Sequence, residues 1–135
     1  MVDRFVNWQY PHIVDGKPTK YNWVVQNLGG FKLGHGTDIG AFSYINALHG
    51  VVIGDNVQIG SHCSIYSVST IGNKVGMVVL DDNCSIGTHS TVLPGVSIGK
   101  NSLIGAHSLV NKNIPDNVVA FGVPAKVVRR LINGK

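Results

Sequence analysis

Charge is scarce in this chain. Asp, Glu, Lys and Arg make up 13% of its 135 residues, against about 25% in an ordinary soluble domain. So little charge of either sign is incompatible with a disordered or highly charged chain. Aromatic residues are 7%, and two cysteines cannot build a disulfide framework. No apolar run approaches the ~20 residues that a membrane-spanning helix needs. The opening Met1-Val2-Asp3-Arg4 is followed by no apolar core, so no secretory signal is expected. A cytoplasmic protein with no membrane partner is therefore the expectation. The net charge of +4 and a pI near 9.2 are too modest to suggest a nucleic-acid partner. The length allows one domain. Glycine, by contrast, is plentiful, with 17 residues, and each must have a backbone reason.

The reason is a period. Aliphatic residues stand at Leu33, Ile39, Ile45, Ile53, Ile59, Ile65, Ile71, Leu80, Ile86, Val92, Ile98, Ile104 and Val110, mostly six apart. In eight of these thirteen units the next residue is glycine. Four positions on, eleven of thirteen have a small or β-branched residue, with His49 and Ile114 as the misfits. Six is neither the three-and-four spacing of a helix nor the simple alternation of a strand. One large and one small inward residue in every six describe a short strand and a corner. Asp55-Asn56, Asp82-Asn83 and Lys100-Asn101 supply turn chemistry between them. Three such units close a triangle, and stacked triangles form a solenoid in which each coil buries its large residues against the next. A β-sandwich would instead set turns every 8–12 residues.

The units Ile59-Gly-Ser-His-Cys-Ser, Ile86-Gly-Thr-His-Ser-Thr and Ile104-Gly-Ala-His-Ser-Leu resemble hexapeptide repeats. So does Val92-Leu-Pro-Gly-Val-Ser-Ile-Gly, and the tail from Asn111 to Arg130 resembles the closing segment of bacterial sugar acetyltransferases. The resemblance spans residues 33–131. It implies an all-β, left-handed parallel β-helix that assembles as a homotrimer; the handedness comes from the resemblance alone. The expected division is an N-terminal cap over 1–32, the β-helix over 33–115, and a tail over 116–135. The cap carries Phe5, Trp8, Tyr10, Tyr21 and Trp23. The run Val123–Leu131, after Gly122, reads as a short amphipathic helix with Lys126, Arg129 and Arg130 outward.

Grouping the units by three starts coils at Leu33, Ile53, Ile71 and Val92. That register puts Ser67–Thr70 above Leu48-His49 on one corner, with Thr88-His89 and Ala106-His107 above them. It puts Phe42 and His62 on another corner with Asp82-Asn83, so His62 and His89 differ in corner. Cys63 and Cys84 share a face, both inward, as small buried side chains. Two extra residues after Ile45 bulge at a corner, and extra residues around Asn73–Val79 form a loop.

The resemblance also implies chemistry. Acetyl-CoA is the expected co-substrate, lying between subunits, with no metal expected. Backbone groups of Thr88 and Ala106 would meet the pantetheine amides, and Asn111, Lys112, Lys126 and Arg129 complete the cofactor set. Acetyl transfer needs an acceptor nucleophile, a base and donors for the oxyanion. The family's catalytic histidine matches Thr70 here, and its acidic substrate residue matches Leu48, so the hexose O-acetyltransferase site does not carry over. His62 is the first candidate base, because it shares the coil of Thr70. His49, in the bulge, is the second, and Asn46 is a candidate acceptor contact. The expected acceptor is a sugar, either an amino sugar or a nucleotide-linked sugar of surface-polysaccharide or lipopolysaccharide biosynthesis. The rivals are O-acetylation of another small molecule, of serine or antibiotic type, and a non-catalytic or metal-binding β-helix trimer.

Overall fold

The structure is a computed structural model and describes residues 6–132. Residues 1–5, with Phe5 of the expected cap, and residues 133–135 lie outside the described residues.

The chain climbs in short rungs. β1 (Val24–Gln26) leads through a 3-10 turn (Leu28–Gly30) into β2 (Phe31–Leu33), β3 (Asp38–Ile39) and β4 (Tyr44–Asn46). The next coil is β5 (Val51–Ile53), β6 (Gln58–Ile59) and β7 (Ser64–Tyr66). A hairpin of β8 (Val68–Ser69) and β9 (Lys74–Val75) then leaves the coil. Two more coils follow. They are β10 (Val78–Leu80), β11 (Ser85–Ile86) and β12 (Thr91–Val92), then β13 (Ser97–Ile98), β14 (Leu103–Ile104) and β15 (Leu109–Val110). β16 (Val118–Gly122) and β17 (Ala125–Arg130) close the top.

Three parallel faces result. Face A stacks β1-β4-β7-β12-β15, face B stacks β2-β5-β10-β13, and face C stacks β3-β6-β11-β14-β16. Each face presents one inward aliphatic column. On face A it is Val25, Ile45, Ile65, Val92 and Val110, all without solvent exposure. Face B contributes Leu33, Ile53, Leu80, Ile98 and Ile114, and face C Ile39, Ile59, Ile86, Ile104 and Ala120. Fully burying one such large side chain is worth about 1.5–3 kcal/mol, and no coil can do so without its neighbour. The corner interiors take small residues. Ser43 Oγ donates to Gly60 O at 3.0 Å, Ser90 Oγ to Gly105 O at 3.2 Å and Ser102 Oγ to Pro115 O at 2.6 Å. Among the described residues no buried side-chain nitrogen or oxygen lacks a partner.

Three expectations are corrected. Ile71 is not a rung: it is fully exposed at the tip of the β8–β9 hairpin, and Leu80 opens the third coil in line with Leu33 and Ile53. Its Ile-Gly pair imitates the repeat, but the hairpin turns back on itself and offers no neighbour to bury it. All corners above the hairpin therefore shift by one from the expected register, and Cys63 and Cys84 stand behind different corners, both still buried. The run Val123–Leu131 is not a helix. Gly122, at φ 115°, reverses the chain, and β17 pairs antiparallel with β16 from Gly122↔Ala125 to Val118↔Arg130. The open edge of face C supplies hydrogen-bond partners that a helix would leave unused, and Val127 and Val128 suit a strand. The first rung is β1, so residues 24–26 already lie within the ladder.

Candidate active site

The corner between faces C and A carries one repeated local structure. Phe42, His62, His89 and His107 occupy the same turn position at φ 65°, 58°, 60° and 59°. Left-handed backbone is unfavourable for most residues, and His, like Asn, visits it more readily. The glycine before each turn is required by its neighbour above: a Cβ on Gly60 would lie 2.6 Å from Thr88 N, and one on Gly87 2.5 Å from Ala106 N. Rungs therefore approach along this corner as closely as the backbone permits, about 4.8 Å apart.

The side chains follow the rise. The His62 and His89 rings stack at 4.6 Å and 4°, and His89 and His107 at 4.9 Å and 12°. Phe42 ends the stack below, 5.2 Å from His62. The backbone joins the same column, with His62 N donating to Ala41 O, His89 N to Ser61 O and His107 N to Thr88 O. The N–H groups of Ser61, Thr88 and Ala106 take no part in that ladder. Thr88 Oγ1 donates to Ser61 O at 2.8 Å and also lies within hydrogen-bond distance of Ser61 Oγ, at 3.1 Å, and of His89 Nδ1, at 2.9 Å.

Thr88 and Ala106, expected together, are indeed on one corner. His62 and His89, expected apart, share it, because the hairpin consumes the unit that Ile71 seemed to begin. Lys126 and Arg129 lie on β17 at the top of face C, opposite Phe121 and Val119. A shallow groove of about 350 Å³ runs down that face from Ala106 and Leu103 past Ser85 and Gln58 to Asp38.

The remaining candidates stand elsewhere. His49 is exposed on the corner between faces A and B, its N–H donating to Ser67 Oγ at 3.0 Å, beneath the hairpin that carries Thr70. Asn46 begins that corner, its Oδ1 accepting from Asn27 Nδ2 at 2.9 Å and Leu48 N at 3.1 Å. Asn111 and Lys112 are exposed on the same A/B corner two coils above the hairpin's base. Within one chain the structure thus separates His49, Asn46, Asn111 and Lys112 from His62, Thr88 and Ala106. The sequence reading overlooked Ser61 as a member of the column, although Gly60-Ser61-His62, Gly87-Thr88-His89 and Gly105-Ala106-His107 are visibly one motif.

The cysteines are not reactive groups. Burial pushes the Cys63 thiol above its ordinary range. Burial, then the nearby Asp81 and Asp82 charges, push Cys84 up to about 12. Among the described residues no group of three His, Cys, Asp or Glu side chains converges as a metal site.

Comparison with known proteins agrees with this architecture. The bacterial transferase hexapeptide (six repeats) model matches residues 77–112, and the hexapeptide repeat of succinyl-transferase matches 30–67 and 50–75. Galactoside O-acetyltransferase of Lactococcus lactis is 72% identical over 40 residues, covering 30% of this chain and 19% of that protein. A galactoside acetyltransferase solved in complex with coenzyme A superposes with a TM-score of 0.72 at 31% identity, over 82% of this chain and 60% of that one. An N-acyltransferase from Bacillus cereus, solved with dTDP-4-amino-4,6-dideoxyglucose and coenzyme A, gives 0.60 at 25% identity. That match covers 83% of this chain and 72% of the other. The chain spans from about a fifth to about half of the curated relatives it matches. The repeats in the sequence, the three-faced coil they build and these matches make one statement: the chain belongs to the hexapeptide-repeat transferase family and has its left-handed parallel β-helix.

Proposed function

We propose that this chain transfers the acetyl group of acetyl-CoA to a sugar, with an amino sugar or nucleotide-linked sugar of surface-polysaccharide or lipopolysaccharide biosynthesis as acceptor. The observation that carries this reading is the exposed C/A corner, with unladdered N–H groups rising from Ser61 through Thr88 to Ala106 toward the basic strand β17. The two pantetheine amides are separated by two methylenes and a carbonyl, about 5 Å when extended. That matches one rung of about 4.8 Å, so Thr88 and Ala106 suit successive amides. Lys126 and Arg129 at the top suit the phosphates. The arm then ends near His62, which suits a general base. In the reaction the acceptor O–H or N–H loses its proton to the base. The new C–O or C–N bond forms at the thioester carbon, the C–S bond breaks, and the protonated base returns its proton to the sulfur, so that coenzyme A leaves as the thiol.

The A/B corner enters this reading through a second copy. In a homotrimer the partner's A/B corner, with its His49, Asn46, Asn111 and Lys112 positions, would face this chain's C/A corner, and that packing makes His49 the rival base. The test is to mix the chain with acetyl-CoA and a panel of sugars, amino sugars, nucleotide sugars and serine, and to measure free thiol. Thiol release with a sugar of the panel is expected. Release with serine alone overturns the sugar acceptor, and failure to bind acetyl-CoA at all overturns the transfer reading.

A further inference from the structure

We infer that the cleft beneath residues 7–23, at the lower end of face C, is the acceptor site, and that it takes a nucleoside-diphosphate-linked sugar. This rests on the acetyl-transfer reading above.

Residues 7–23 arch over the lower end of face C and enclose about 1050 Å³, lined by Trp8, Tyr10, Lys17, Lys20, Tyr21 and Asp38 among others. That volume is at the upper end for a small-molecule site and far exceeds what one monosaccharide fills. The walls are fixed by specific bonds. Trp8 Nε1 donates to Thr37 O at 2.7 Å, and its ring meets Tyr10 at 5.1 Å and His35 at 4.7 Å. The buried Thr19 accepts through Oγ1 from the N–H of Tyr21 at 3.2 Å and of Trp23 at 3.5 Å.

The arch is also joined to the corner column. Phe42 N donates to Asn22 O at 2.6 Å, and Asn22 has the same left-handed backbone, φ 67°, as the residues stacked above it. Tyr21-Asn22 therefore takes the place of one more corner. From top to bottom the column is Ala106-His107, Thr88-His89, Ser61-His62, Ala41-Phe42 and Tyr21-Asn22. The coil residues that line the cleft, Thr37, Asp38 and Ile39, stand one rung below that of His62, about 4.8 Å down the face. Asp38 lines both the cleft and the groove on face C.

The chemistry of the walls selects the ligand. Tyr10 and Tyr21 are exposed rings able to stack on a base or a sugar face. Lys17 and Lys20 bring two ammonium groups for a diphosphate; Lys20 Nζ lies 5.1 Å from the Tyr21 ring centre. Asp38 is the acidic residue on the side nearer the groove. A free neutral sugar would use neither the lysines nor most of the volume.

The test is calorimetric titration of the whole chain with dTDP-glucose, UDP-glucose, glucose and, separately, coenzyme A. A nucleotide sugar is expected to bind and glucose not to. Replacing both exposed lysines, Lys17→Ala with Lys20→Ala, should weaken nucleotide-sugar binding at least tenfold and leave coenzyme A binding within twofold. Tyr21→Ala should weaken it as well, and Tyr21→Phe should retain it. Lys126→Ala with Arg129→Ala should give the opposite pattern. Unchanged nucleotide-sugar binding in the lysine variant, binding of glucose as tight as that of dTDP-glucose, or no binding of either nucleotide sugar overturns the assignment. Nucleotide-sugar binding retained in a chain that does not bind coenzyme A overturns the transfer reading alone.

Discussion

The imidazoles of His62 and His89 lie 4.6 Å apart and within 4° of parallel, although 27 positions separate them in the chain. They meet because the β8–β9 hairpin is extruded from the coil between them, so that Ile86 comes to rest on Ile59. The stack makes the C/A corner a ruler. Each histidine marks one rung of about 4.8 Å, and His62 is one rung below Thr88 and two below Ala106.

That position leads to the first prediction. His62→Asn should lower kcat by about 10²–10⁴-fold, the usual loss of a general base, and leave acetyl-CoA binding unchanged. Asn is the better replacement, since it tolerates the left-handed backbone at φ 58° that Ala does not. Steady-state kinetics beside a binding titration separates the two effects. With an amine acceptor the loss should shrink as pH rises, because more of the amine is then neutral. Turnover abolished by His49→Ala and retained in His62→Asn would move the base to the A/B corner.

The repeat made most of the fold legible. Aliphatic spacing, the glycines and the small residues four positions on identify all three faces up to Ile65, because each local choice repeats what the stacked backbone demands. Beyond it, Ile71-Gly72 satisfies the same local pattern, and only the absence of a rung to pack against distinguishes it from Leu33-Gly34. That is a tertiary fact. The site suffered accordingly, with Thr88 and Ala106 correctly paired, being in adjacent coils above the hairpin, and His62 wrongly separated from His89 across it. The tail failed for another reason. Val127-Val128-Arg129-Arg130 is short enough to suit a helix or a strand, and the exposed edge of β16 decides between them.

The second prediction concerns β17. Lys126→Ala and Arg129→Ala should each raise KM for acetyl-CoA by roughly tenfold or more, from loss of charge-assisted contacts worth about 1.5–3 kcal/mol. The acceptor KM should change little. Equal rises in both constants would point to a disturbed strand and not to a phosphate contact.

Glycine at the C/A corner provides a stability test. Gly87→Ala puts a Cβ 2.5 Å from Ala106 N, a backbone atom that cannot swing aside. A loss of about 1–3 kcal/mol is expected, the range of an overpacked interior. Gly29→Ala, where no atom lies within 4 Å, should be close to neutral. Urea denaturation of the two variants compares them directly. Equal stabilities would mean that the coils do not approach as closely as this corner requires.

The last prediction is the alkaline limit of stability. Cys84 is buried behind the B/C corner, where the equivalent positions one coil below and two above are Val57 and Val118. Burial, followed by the charges of Asp81 and Asp82, raises its thiol from an ordinary 9.0 to about 12 in the folded chain. The native state therefore holds the proton where the unfolded chain has begun to release it. Stability falls wherever the folded state binds more protons than the unfolded one, so this contribution is complete below pH 9 and is lost progressively toward pH 12. Its full extent is on the order of 4 kcal/mol. Cys84→Val, which copies the residue used by neighbouring coils, removes the thiol and should flatten the decline between pH 9 and 11. Chemical denaturation at a series of pH values in that interval measures both slopes. An identical decline in the valine variant would assign the alkaline sensitivity to other groups, and fast thiol labelling of the native wild type at pH 8 would contradict the burial itself.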